Sequence, residues 1–421
     1  MPYRTIIFWS HSAAGIVIGA MILSMSITGM LLAFEPQIVN WSERHAKSVD
    51  TPGPDARRAS LEGIVANARG EFPGIPPAEI RLWSDPSASI SVRFGKEKGS
   101  LYLNPYTGKI IGKDSKARCF LQTVEDWHRW LTSRKMGKPV VDVVNLIFLF
   151  MLLSGLYLWY PRRWTRRALK AVLVPNPKLT GKARDWNRHN AFGFWTAPLL
   201  IVISLTGAVI SYRWASDLVY VLSGNIPPPR SPEEAAGAGG KTAREGKRNS
   251  GRAPIPAPTN LAAASLDSLL AQAEGKVSPW HSINLRFPQK AGVPVVAYIQ
   301  EPGFWRRFSR SQLTLNPVTA DVIKWEPYSE CNLGRKVRMW VVPIHTGQAG
   351  GIPGQIIAAL AAFSAALLVW TGVAMSWRRF FQAKPRFLSP SMLRDTMAST
   401  CPGDRAASTP VLATKYPEAG G

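Results

Sequence analysis

The sequence predicts an α-helical membrane protein: four transmembrane helices arranged as two parallel repeats, with two small α+β domains outside the cytoplasm. Three observations carry this. Four apolar runs, 6–34, 140–160, 191–212 and 352–377, each reach the ~20 residues that a bilayer crossing needs. The first and third runs share a pattern: with His11 set on His189, Gly15 falls on Gly193, Ser26 on Ser204, Thr28 on Thr206 and Gly29 on Gly207. The second and fourth share another, because His128 precedes Ser154-Gly155 by the same interval as His345 precedes Thr371-Gly372.

Taken in order, residues 1–40 hold the first span, too long for a signal-peptide core and read as an uncleaved anchor. Residues 41–119 are the first outward domain. Its polar start, 41–58, with Pro52 and Pro54, reads as a linker; Ser60 caps a helix to about Phe72, and 80–83, 89–94 and 100–104 alternate in the strand period. Asn104-Pro105-Tyr106-Thr107-Gly108 is a turn before Lys109. Residues 120–161 combine a short amphipathic helix, 120–131, with the second span; Trp127 and Trp130 suit a membrane interface.

Residues 162–188 are a basic loop and 189–214 the third span. Residues 215–334 repeat the outward domain, with a helix at 265–274 and strands at 283–287, 293–299 and 311–316. The turn returns as Asn316-Pro317-Val318-Thr319-Ala320, with Ala where the first copy has Gly. The run 227–258, rich in Pro, Gly, Ala and charge, cannot bury a core and is expected to be disordered. Residues 335–380 form the fourth span region, and 381–421 a polar cytoplasmic tail.

The net charge of +24 would suit nucleic acid, but its placement does not. Arg162, Arg163, Arg166, Arg167, Lys170, Lys178, Lys182, Arg184 and Arg188 crowd the loop between spans two and three, and Arg378, Arg379, Lys384 and Arg386 follow span four. Short basic loops beside spans stay inside. Both termini and the 162–188 loop are therefore expected in the cytoplasm, 35–139 and 213–351 outside it, with membrane lipid rather than nucleic acid as the partner of the basic segments. No C-x-x-C-H occurs, so covalent c-type haem is excluded. Cys119 and Cys331 stand at comparable places in the two halves on the oxidising side; a disulfide and two free thiols are both open.

Six histidines are present. His11 and His189 sit at the cytoplasmic ends of spans one and three, His128 and His345 just outside spans two and four. His11 cannot meet His128, which lies at the opposite face. Two equivalent pairs remain, one per leaflet, and two opposed imidazoles suit the axial positions of a six-coordinate haem. Two non-covalent b-type haems are expected, with His11, His189, His128 and His345 as iron ligands and Gly15, Gly29, Gly193 and Gly207 leaving room for flat macrocycles. Small residues in spans also serve plain helix packing. Zinc or copper is less well matched, since no Cys, Asp or Glu completes either set. His45 and His281 have no counterparts and are expected at the surface. Arg4, Arg188, Arg129, Arg335 and Arg338 are candidate partners for haem propionates.

The His-x-x-x-Gly…Ser-x-Thr-Gly spans, Trp127-His128-Arg129-Trp130-Leu131, the closing His345 and the paired Asn-Pro-x-Thr-(Gly/Ala) turns resemble the PepSY-associated transmembrane family of iron-regulated bacterial inner-membrane proteins, over roughly residues 3–380. That resemblance implies that the outward domains are PepSY-like. It also implies a link to siderophore uptake and kinship with di-haem ferrisiderophore reductases. Ala320 and the 227–258 insertion depart from the pattern.

The expected activity is haem-dependent reduction of ferric iron in a siderophore, on the periplasmic side of a bacterial inner membrane, releasing Fe(II). An electron would pass from the His11/His189 haem to the His128/His345 haem. No Gly-rich dinucleotide motif occurs, so the electron donor is expected to be external, a quinol or a separate reductase. Two rivals stand beside this: a PepSY-type regulatory or binding protein that modulates a peptidase, and a siderophore transporter without redox activity.

Overall fold

The computed structural model describes residues 2–53, 56–95, 98–161, 164–229, 264–288, 293–303 and 307–381. The insert 227–258 beyond its first three residues, and the tail 381–421 beyond Phe381, lie outside the described residues.

The chain starts with α1 (Pro2–Ala33), then α2 (Glu35–Ser42), α3 (Arg44–Lys47) and α4 (Leu61–Glu71). Strands β1 (Glu79–Trp83), β2 (Ile90–Arg93), β3 (Ser100–Leu103) and β4 (Ile110–Lys113) lead into α5 (Lys116–Trp130) and α6 (Gly137–Trp159). The second half runs α7 (Arg166–Leu173), α8 (Gly181–Ser211), α9 (Arg213–Leu222) and α10 (Leu266–Glu274). It closes with β5 (Ser282–Arg286), β6 (Val295–Gln300), β7 (Ser311–Leu315), β8 (Val322–Glu326), α11 (Leu333–His345) and α12 (Gly351–Phe381). The chain divides into two units, Met1–Met375 and Ser376–Gly421; the described part of the second is the end of α12, where the Trp377 and Phe381 rings lie 4.3 Å apart.

Among the described residues four helices, α1, α6, α8 and α12, are each long and apolar enough to cross a membrane, and the chain is a membrane protein. Their outward residues are apolar too: Val17, Leu153, Leu205 and Trp370 are exposed. Water would not tolerate such a surface, whereas lipid does. Inside, Leu152, Leu200, Ala361 and Ala365 form one small core and Ile18, Ile22 and Val144 another. Ala361 and Ala365 let α12 approach Leu152 and Leu200 closely, while the second cluster is built of branched aliphatic side chains.

Helix α8 starts at Gly181, well before its apolar run. Asn187, 1 % exposed, explains why. Its Nδ2 donates to the carbonyls of Ala171 (2.7 Å) and Val174 (3.0 Å), and its Oδ1 accepts from the Asn176 amide (2.7 Å). One side chain thereby closes the α7–α8 connection and keeps the polar first turns helical. Two matching contacts close the other ends of the spans. Lys138 Nζ donates to Ser211 O at 3.0 Å, and Gln355 Nε2 to Ala33 O at 2.5 Å. Each satisfies a carbonyl that a helix C-terminus leaves without an intrahelical partner. Asp142, near its end of α6, is buried and paired with Lys138.

The sheet departs from the expectation of two separate domains. All eight strands form one antiparallel sheet in the order β4-β3-β2-β1-β5-β6-β7-β8. The first strand of each half would otherwise be an open edge; β1 and β5 pair instead, Ile80 opposite Leu285 and Leu82 opposite Ile283. The four side chains are 1 % exposed or less and share one core with Leu61, Val65, Leu266 and Leu269 of α4 and α10. The helices cap one another: Asp267 Oδ1 accepts from Leu61 N (2.6 Å) and Glu62 Oε2 from Leu266 N (3.1 Å). Strand β8 is a further addition; only its Val322, Trp325 and Glu326 are partly buried, so the sequence carries little alternation there.

Segment 35–47, half of it within the expected polar linker, is helical and holds Glu43, 3 % exposed. Its carboxylate accepts from Arg118 Nε (2.7 Å) and Nη2 (2.6 Å), Tyr102 Oη (2.9 Å) and Ser115 N (3.1 Å). Ser115 is the N-cap of α5, its Oγ accepting from Arg118 N at 3.1 Å. Glu43 thus fixes where α5 leaves the sheet.

Candidate functional site

His11 on α1 and His189 on α8 come together. Their ring centres are 6.5 Å apart and the planes cross at 85°. Each ring also touches the neighbouring span. His11 Nδ1 lies 2.9 Å from Ser154 Oγ on α6, and His189 Nδ1 lies 2.9 Å from Thr371 Oγ1 on α12.

The other two histidines sit at the far end. Trp127 Nε1 donates to Ser24 Oγ at 2.8 Å, which lays α5 along the last turns of α1. There His128 Nδ1 meets Thr28 Oγ1 at 2.8 Å. His345, the last residue of α11, places Nδ1 3.1 Å from Thr206 Oγ1 and 2.9 Å from Ile203 O on α8. At about 1.5 Å per residue, Thr28 stands roughly 25 Å from His11 along α1, so the two sets occupy opposite ends of the spans. Burial first, then the charges of His345 and Arg129, lower the His128 pKa to about 4. Burial also lowers that of His345, against a hydrogen bond to Ile203. Both shifts favour the neutral ring, the form in which imidazole binds metal.

A family model of the PepSY-associated TM region matches residues 8–379. The chain belongs to this family. No curated protein matches it. In this PepSY-associated TM chain, a Ser/Thr-Gly dipeptide occurs in every span, and each one receives a histidine. A Cβ added at Gly29 or Gly207 would sit 3.5 and 3.4 Å from Cε1 of His128 and His345; at Gly155 or Gly372, 3.3 and 3.6 Å from Cε1 of His11 and His189. Gly15 and Gly193 do not face histidines: added Cβ atoms there would meet Met151 Cε (3.2 Å) and Leu368 Cδ2 (3.5 Å). Recurrence of the dipeptide once per span is the signal that finds Gly155 and Gly372 from sequence.

Four of the candidate arginines have protein partners. Arg4 Nη2 donates to Leu158 O (2.6 Å), Arg129 pairs with Glu125 (2.7 Å), Arg335 with Glu326 (2.9 Å), and Arg338 Nε donates to Ser216 Oγ (3.2 Å). Arg188 lines a cavity of about 410 Å³ with Arg184, Asn176, Phe192 and Trp370, and Thr371 forms part of its wall. A larger cavity, about 780 Å³, lies on the sheet domain between Arg58, Tyr106, Glu274 and Trp280. Cys119 and Cys331 are free thiols, the first exposed and the second buried. His45 and His281 are exposed. Among the described residues no three His, Cys, Asp or Glu side chains gather to hold a metal ion.

Proposed function

We propose that this membrane protein carries electrons across the bilayer with two non-covalent b-type haems and delivers them to ferric iron in a siderophore. The His11–His189 pair is the observation that carries the reading. Two opposed metal–imidazole bonds of about 2 Å, with roughly 1 Å from each nitrogen to its ring centre, space the centres by roughly 6 Å. The 6.5 Å separation agrees with that. With Nδ1 of each ring taken by a hydroxyl, Nε2 is left for a metal. A two-histidine pair suits a macrocycle that brings its own four nitrogens, where zinc would want more protein ligands. The haems, when bound, supply one-electron chemistry.

His11 and His189 would hold one group and His128 and His345 the other, in two parallel repeats. The basic 162–188 loop favours a cytoplasmic His11/His189 end and a sheet outside the inner membrane. Each Fe(III) takes one electron to become Fe(II); a quinol as donor gives up two electrons and two protons, and a separate reductase would serve equally. Outward electron movement is favoured by an inside-negative potential, about 2.3 kcal/mol per 100 mV for the full crossing. The test is the dithionite-reduced spectrum of the purified chain. A b-type spectrum with about two haems per chain supports the reading; a haem-free protein that still sustains siderophore use ends it and favours a regulatory or transport role.

A further inference from the structure

We infer that Ser154, Thr371, Thr28 and Thr206 are positioning residues that lock the four histidines in the Nδ1–H tautomer and so present Nε2 as the metal-binding nitrogen. The function given to Nε2 rests on the di-haem reading; the tautomer does not.

A neutral imidazole has one N–H and one lone pair, and a hydroxyl has one hydrogen to give. In each span that hydrogen has a home in its own helix. Thr28 Oγ1 donates to Ser24 O (2.8 Å), Thr206 Oγ1 to Val202 O (2.7 Å), Thr371 Oγ1 to Leu367 O (2.8 Å) and Ser154 Oγ to Met151 O (3.2 Å). Such back-bonding is the ordinary habit of Ser and Thr in helices. The hydroxyl oxygen is then an acceptor, and Nδ1 must be the donor. A second group agrees. His345 Nδ1 lies 2.9 Å from Ile203 O, and a carbonyl can only accept. Ile203 stands one turn before Thr206, so a hydroxyl and a carbonyl together cradle His345. His128 is held by the Thr28 hydroxyl, His11 by that of Ser154 and His189 by that of Thr371.

The following glycine completes the unit. Gly29, Gly155, Gly207 and Gly372 leave the space over which Cε1 lies, so a ring can reach the hydroxyl without leaving the helix surface. Partners of this kind orient a ligating histidine and raise its basicity.

The experiment is a redox titration of each haem in the full-length protein carrying Thr28→Val, Thr206→Val, Thr371→Val, Ser154→Ala or Thr28→Ser. Losing the acceptor weakens electron donation to iron and disfavours the ferric form. Thr28→Val should shift the ferric/ferrous preference of the His128/His345 haem about tenfold, a rise of about 59 mV for one electron. Thr206→Val should move it less, since Ile203 O remains; Thr371→Val and Ser154→Ala should move only the His11/His189 haem. Thr28→Ser should restore the wild-type value. Unchanged potentials in Thr28→Val with both haems bound would overturn the inference. The wild-type chain labelled with ¹⁵N-histidine gives a second measurement, needing no haem. Nδ1–H signals from the four rings support the lock, including where Thr28→Val loses its haem outright, and Nε2–H signals overturn it. A haem-free wild type with Nδ1–H signals would refute the di-haem reading and leave the tautomer lock standing.

Discussion

Glu43 receives both arms of the Arg118 guanidinium, at 2.7 and 2.6 Å, in a site where the carboxylate is almost wholly buried. Burial by itself would raise the carboxyl pKa. The Arg118 hydrogen bonds, the Ser115 amide, the Arg118 charge and Tyr102 outweigh it and hold the pKa at about 2, against 4.5 for a free glutamate. A depressed pKa contributes stability that is complete above the unfolded value and is lost as pH falls. Unfolding of the detergent-solubilised protein should therefore become easier between pH 4.5 and about 2. Glu43→Gln should cost about 2 kcal/mol at neutral pH and flatten that acid limb, because it leaves the buried guanidinium with Asp114, 3.3 Å away, as its remaining carboxylate. Since Glu43 also holds Ser115 at the start of α5, the variant should, on the di-haem proposal, weaken haem binding at His128 before it weakens it at His11. An unchanged acid limb in Glu43→Gln would mean that other carboxylates govern it.

Asp267 and Glu62 join the two halves of the sheet domain through each other's helices. Loss of an N-terminal cap costs about 1 kcal/mol. Asp267→Ala should lower stability by that amount, and Asp267→Asn, which keeps an acceptor, by less. If both variants unfold with wild-type midpoints in a denaturant titration, the cross-caps contribute nothing.

The two Asn-Pro-x-Thr turns make a natural comparison. Asn104 Oδ1 accepts from Tyr106 N (2.8 Å), and Asn316 Oδ1 from Val318 N (2.9 Å). Both turns end left-handed, Gly108 at φ 67° and Ala320 at φ 62°. That conformation costs a side-chain-bearing residue about 1–2 kcal/mol. Gly108→Ala should cost at least that, because the new Cβ would stand 2.7 Å from Asn67 Nδ2, which donates to Gly108 O. Ala320→Gly relieves the strain and gives up a buried methyl worth about 0.8 kcal/mol, so it should be close to neutral. Thermal unfolding of the two variants tests the asymmetry; a destabilised Ala320→Gly would show that the methyl's packing dominates.

The spans, the amphipathic α5 and most strands are legible because each is written in local periodicity. So are the histidines, since repetition needs no three-dimensional knowledge. Contacts that depend on how elements rotate or meet are not. Gly15 and Gly155 look alike on paper; only the rotation of α1 against α6 decides that Gly155 faces His11 and Gly15 faces Met151. The β1–β5 ladder joins segments some two hundred residues apart, and nothing in either strand names its partner. Glu43 sits among polar residues in a stretch that reads as linker; its burial comes from Arg118 and Tyr102, supplied by distant elements. Arg4 satisfies carbonyls at the end of α6, a demand visible only once the helix end is placed.

The histidines should act in pairs. His11 and His189 share one site by their 6.5 Å ring separation, and His128 and His345 stand at the other end of the spans, on Thr28 and Thr206. His11→Ala and His189→Ala should each remove the same haem and leave the other, with His128→Ala and His345→Ala doing the converse; spectra of the four purified variants read this directly. In proteoliposomes with reductant trapped on the His11 side, Fe(II) should be captured outside by an impermeant ferrous chelator. Either His128→Ala or His345→Ala should abolish that signal while the remaining haem still becomes reduced. If His11→Ala and His128→Ala instead removed one shared haem, the ~25 Å separation along α1 would be incompatible with the result and the assignment of pairs would fall. Undiminished Fe(II) in the His128→Ala vesicles would take the sheet-side histidines off the electron path.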